Sequence, residues 1–232
     1  MDESYDTVRT VTDGRYRYIR NYMPHRAAGM HEAYAWNLKS YQDWERQLLA
    51  GKLTPAQAAF FQPKLYEQLF DLHADPDQVV NSAADPAMAG HLRRLRQALD
   101  RHMLAINDNG FIPEGSPLEG YVASRRPGAY PLRRIMALAE TAAKGDSRNL
   151  PRLRGSLADP NEVVRCWAAI GLLILGPAAA PAAAQLAGMA SSDPSPQVRV
   201  PAARPWCGSG ASTRVRRCWR SSRPSCRRSR CG

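Results

Sequence analysis

The spacing of apolar residues changes several times along the chain, and each change predicts a different element. Residues 6–12 (DTVRTVT) and 15–22 (RYRYIRNY) alternate with a period of two and flank Asp13-Gly14. That pattern predicts a β-hairpin closed by a two-residue turn, since Asp-Gly suits the positive-φ positions such a turn needs. In the second strand Tyr16, Tyr18, Arg20 and Tyr22 share one face, and Arg15, Arg17, Ile19 and Asn21 share the other. Neither face is purely apolar, which suits a strand partly covered on both sides. A helix is expected over 40–50, ended by Gly51, and Thr54 caps a short one that opens with Pro55. Residues 66–72 (YEQLFDL) read as another strand, turned away by Asp75-Pro76. After Asp85-Pro86, Met88, Leu92, Leu95, Leu99, Met103 and Ile106 recur at steps of three and four, a long amphipathic helix that Gly110 closes. Its opposite face, Arg93, Arg94, Arg96, Gln97 and Asp100, reads as solvated.

Residues 111–130 are rich in proline and glycine, lack a period and read as a linker. Beyond them the chain is helical and alanine-rich. DPNEVVR at 159–165 returns as DPSPQVR at 193–199, a shift of 34 residues, each copy preceded by a short helix. Such recurrence predicts an α-solenoid of stacked helix pairs. The expected class is therefore α+β: a small antiparallel sheet with a packed helix over 1–110, a linker over 111–130, solenoid helices over 131–200 and a tail over 201–232.

Charge and cysteine change the picture only at the end. The formal net charge is +11, but residues 201–232 hold nine arginines and no acid, so the remainder is nearly balanced. The tail also holds Cys207, Cys218, Cys226 and Cys231 without the short spacing zinc sites favour, whereas Cys166 sits alone in an apolar run as a small buried hydrophobe. Arg, Cys, Trp, Ser, Pro and Gly without Lys, Asp, Glu, Ile or Phe is what a GC-rich gene yields when read one base off. A frameshift, a disordered basic tail and a four-cysteine metal site are the three readings of this segment. The acidic start (MDESYDTVRT) is not a signal peptide, which leaves the compartment unassigned. Residues 166–190 carry no charge, but Gly176, Pro177 and Pro181 interrupt them, so buried repeat helices are expected there and no membrane span.

Active-site motifs are sparse: there is no phosphate-cradling glycine loop, no G-x-S-x-G and no H-E-x-x-H. His91 and His102 fall on the long helix as surface residues, and His73 precedes a turn. Asp75 and Asp77 follow turn chemistry. Arg20, His25, Arg26 and His31, at and after the second strand, are the candidates for lying near an anionic substrate.

The strings MDESYDTVRTVTDGRYRYIRNYMPHR, GKLTPAQAAFFQPK and EQLFDLHADPDQVVNSAADP, followed by the leucine-spaced helix, resemble the C-terminal part of bacterial sulfatases of the alkaline-phosphatase superfamily. There a strand pair D-x-V-R-x-x-x-D-x-R-Y-x-Y-I-R-N precedes E-L-Y-D-L-x-x-D-P-x-E-x-x-N-L-A. This chain departs at Phe70, Gln78 and Ser82-Ala83. The likeness runs over about 2–110, and the repeat section resembles HEAT repeats. The resemblance implies a four-stranded antiparallel sheet with a packed helix, docked on a large α/β catalytic domain. It also implies that catalysis elsewhere uses a formylglycine, made from the first residue of C/S-x-P-x-R, and a calcium-like divalent ion. Neither the motif nor the ion's ligands are in this chain, so no cofactor is assigned to it. The expectation is a sulfuric ester hydrolase fragment that needs its catalytic domain and is inactive alone; such enzymes are often periplasmic or secreted. The alternatives are a HEAT-repeat scaffold binding a protein partner, and a nucleic-acid binder using the tail with Tyr16, Tyr18 and Tyr22.

Overall fold

A computed structural model describes residues 5–204; the calls on the tail's order, reading frame and cysteines lie outside the described residues, apart from its first four positions. Strands β1 (Val8–Thr12) and β2 (Tyr16–Asn21) are antiparallel, with Val8 opposite Asn21 and Thr12 opposite Arg17. The strands are therefore joined by three residues, Asp13 to Arg15, not two. The Asp13 carboxylate accepts from the amides of Arg15 and Tyr16 at 3.0 and 2.7 Å, and this side-chain bridging widens the turn.

Three short helices follow: α1 (Ala33–Trp36), α2 (Lys39–Leu49) and α3 (Pro55–Ala58), the last held by a capping box between Thr54 and Gln57. Strand β3 (Glu67–Asp71) then returns on the other side of β2, with Tyr16 opposite Asp71 and Arg20 opposite Glu67. The sheet order is β1-β2-β3, so the described residues form three strands, one fewer than the resemblance implies. Helix α4 (Ala89–Ala105) crosses β1 and β2 and buries Leu92, Leu95, Leu99 and Met103, as the spacing predicts. It ends earlier than expected: Asn107 takes a positive φ of 49° and terminates it, leaving Ile106 exposed.

The face of β2 that carries Tyr16, Tyr18, Arg20 and Tyr22 is buried throughout. No base can stack on these rings, because α4 and the helices beyond it already cover them. The charged face of α4 is not merely solvated either. Arg94 pairs with Asp13, Arg96 with Glu67 and Asp100 with Arg20, so that face clamps the helix to the sheet.

Residues 111–130, read as a linker, are not a free connection. Phe111 and Ile112 are buried at one end and Tyr130 at the other, around the single turn α5 (Tyr121–Ser124). The prolines and glycines set turns, while the aromatic ends fix the segment to the core. The Trp167 indole donates to the Phe111 carbonyl at 2.8 Å, and the Tyr130 hydroxyl donates to the Asp108 carbonyl at 2.7 Å.

Helices α6 (Leu132–Ala143), α7 (Leu150–Ser156), α8 (Glu162–Leu175), α9 (Ala183–Ser192) and α10 (Pro196–Ala203) follow in the described residues. Helix α8 packs on α6, α7 and α10, and α9 packs on α10. A side chain on Gly171 would meet Leu153 at 2.7 Å and Ala142 at 2.9 Å, so this glycine lets α8 approach its neighbours. The stretch Glu162–Ser192 is long and apolar enough for a membrane span by composition, but Gly176 breaks it at φ 56°. Its first half is buried among the other helices. The 34-residue recurrence has a structural counterpart. The Asp159 carboxylate accepts from the Asn161 amide at 2.9 Å, and Asp193 does the same for Ser195 at 2.9 Å. Each aspartate also binds an arginine from a preceding helix, Arg134 for Asp159 and Arg165 for Asp193. One continuous apolar core runs from Tyr18 on the sheet to Val198 on α10.

Candidate functional site

The four candidates leave the sheet in different directions. Arg20 is 2% exposed and wholly engaged: Nε donates to the Tyr18 hydroxyl at 2.9 Å, and one terminal nitrogen reaches Tyr22 at 3.2 Å and Asp100 at 2.6 Å. Burial disfavours its cation, but Tyr22, Asp100 and Tyr18 outweigh that, and its pKa is raised. The Tyr18 hydroxyl donates to Glu67, which Arg96 also grips, so the group is a closed polar network. This buried cation, bonded to Tyr18, Tyr22 and Asp100, ties β2 to α4 and does not face an open site.

His31 lies apart, its ring 4.4 Å from Trp36 in a group of rings formed by α1, α2 and the turn after α3. Trp44 stacks on Phe60 at 4.5 Å and 12°, and Phe61 meets both edge-on. Of that group only Trp36 is buried; Tyr41, Trp44, Phe60 and Phe61 are half-exposed.

His25 and Arg26 do converge. After Tyr22 the chain passes through buried Met23 and Pro24 and turns, the Arg26 amide donating to the Met23 carbonyl at 3.1 Å. This turn delivers both side chains to the wall of a cavity of about 450 Å³ between the sheet unit and the helices. Met23, Pro113, Cys166, Ile170, Leu173 and Val200 supply its apolar lining; Tyr5, Glu114, Gln197 and Arg204 add polar groups. The His25 Nδ1 is shielded from solvent and has no hydrogen-bond partner among the described residues. Burial, then the nearby Arg26 and Arg204 charges, push the His25 pKa down to about 4, so the ring is neutral at pH 7. Burial and Arg204 also lower the pKa of Arg26. Cys166 is a buried part of this wall, and burial pushes its thiol up to about 12, which leaves it an unreactive filler.

The sequence reading names His25 and Arg26, as loop residues after the second strand, but not Arg204, Glu114 or Gln197. Those three are brought in by α10 and the 111–130 segment, and no local pattern marks such convergence. Among the described residues no three His, Cys, Asp or Glu side chains lie close enough to hold a metal ion.

A stretch of 115 residues, 49% of the chain, is 36% identical to an ulvan-active sulfatase of Formosa agariphila. This chain therefore contains a sulfatase-related region. It spans only 19% of that relative's length. No family model matches the chain, and no solved structure matches it.

Proposed function

We propose that the chain is the C-terminal portion of a sulfuric ester hydrolase of the sulfatase family, joined to HEAT-like helix pairs and unable to hydrolyse a sulfate ester alone. The observation that carries this reading is the 36% identity to a sulfatase over 115 residues. The half-exposed rings around Trp44 support it. They form the kind of apolar surface that a larger body covers, and the relative has four-fifths of its length outside the match. The missing partner is the catalytic domain, which would bring the formylglycine and the divalent ion. Two measurements test this. The purified chain should give no turnover of an aryl sulfate above the no-enzyme control, with or without calcium. The DNA before the Met1 codon should encode C/S-x-P-x-R in frame or nearly so. Turnover that survives repurification would sink the proposal.

A second reading, a protein-binding scaffold, is favoured by the recurring Asp159 and Asp193 turns with their arginine partners. A stable partner captured by the full chain, and lost on changing exposed residues of α9 and α10, would favour it.

A further inference from the structure

The cavity at His25 and Arg26 is built for a ligand that the sulfatase reading does not require. We propose that it binds a small organic oxyanion, its charged head between Arg26 and Arg204 and its apolar body against Ile170, Leu173 and Val200.

Charge supports the head group. Arg26 and Arg204 both line the cavity, and neither has an ion-pair partner among the described residues. Arg26 makes one weak contact, from Nε to the Met30 sulfur at 3.0 Å. The nearby Asp6 is occupied by Lys64, and Glu114 is the one acid in the lining. Two guanidiniums against one carboxylate leave a net positive cavity, and their fork geometry suits a carboxylate or sulfate. The His25 Nδ1 is a shielded polar atom without a partner, a state that costs free energy unless a ligand or water satisfies it.

Shape supports the body. A volume of about 450 Å³ lies within the usual range for small-molecule pockets, and its walls are mainly apolar. Residues 205–232 contain no acidic side chain to compete for the two arginines. Besides Tyr5, the site joins three parts of the chain: the turn after β2, the 111–130 segment, and the paired helices α8 and α10. It therefore exists only while the sheet unit and the helices are packed together.

Binding to the full chain tests this by calorimetry, with the His25 ring proton followed by NMR. Phenyl sulfate and benzoate present the two heads on one body; inorganic sulfate is the head alone, and benzyl alcohol the body alone. One of the two organic anions should saturate with a Kd of order 1 mM or tighter, at least about fivefold below either control, and should move the His25 resonance. Arg204→Gln and Val200→Asp, both at exposed positions, should each weaken it by about tenfold. No saturation by ~10 mM overturns the proposal. So does equal binding of inorganic sulfate, or affinity unchanged in both variants. Because binding and turnover are measured separately, this failure leaves the sulfatase reading untouched.

Discussion

Two groups of aromatic rings in this protein have similar composition and opposite environments. Tyr22, Phe111 and Trp167 meet at centroid distances of 4.8–6.1 Å, all with 0% exposure, where the sheet joins the helices. Trp36, Tyr41, Trp44, Phe60 and Phe61 meet at comparable distances, yet only Trp36 is buried. The first group is covered from both sides, by β2 and by α8. The second is only partly covered, by the short helices around it, among the described residues. Ring-to-ring contact alone does not make a core; a second layer does.

The largest effect should come from breaking the covered group. Trp167→Ala removes the largest fully buried side chain and orphans the Phe111 carbonyl. A loss of about 3–5 kcal/mol is expected by urea denaturation, with sheet and helices losing structure together. Two separate transitions in the wild type would contradict the shared core. Next is Arg20→Ala, which strands the Tyr22 hydroxyl and leaves Asp100 without its cation, while Tyr18 keeps its bond to Glu67. Since the Asp100 side chain is 41% exposed, solvent softens the penalty to roughly 2–3 kcal/mol. A variant as stable as the parent would show that the network does not clamp β2 to α4.

The edge between the two groups can be probed by pH. His25 is neutral when folded, with its pKa depressed to about 4 by burial and by Arg26, Arg204 and Lys64, against the opposite pull of Asp6. The unfolded chain takes up a proton near the ordinary histidine value, while the folded chain does so only near 4. The stabilisation is thus complete above about pH 6.5 and is lost as pH falls toward 4. Between pH 7 and 5 stability should drop by about 2 kcal/mol. His25→Phe should flatten that slope, and an unchanged slope would place its source elsewhere.

The contrast also explains what the sequence makes legible. Strand β2, α4 and the Asp159–Asp193 recurrence are local periodic patterns, and the structure contains all three. The role of Arg20 is not local. Alternation places it on a face with three tyrosines, but only the tertiary position of Asp100 turns it from a candidate substrate contact into a buried clamp. The burial of Phe111 is hidden for a similar reason, because prolines and glycines nearby mask an anchor that Trp167 completes 56 residues later. The cavity at His25 has contributions from three distant segments, and convergence of that kind has no period.

The smallest effect belongs to the uncovered group and bears most directly on whether a layer is missing. Trp44→Ala removes a ring that is half-exposed and stacks on Phe60, which is half-exposed as well. No residue of α2 is buried, so little apolar surface returns to water. In the chain alone a loss of no more than about 1 kcal/mol is expected, from the lost stacking and part of one ring's burial. If these rings face an absent catalytic domain, the same substitution should be far more damaging once that domain is restored by fusion or co-expression. There it should cost binding of the order of a hot-spot tryptophan, about 2 kcal/mol or more. Equal effects in the two settings would mean that the rings are a small self-sufficient cluster and that the second layer was never part of this protein's design.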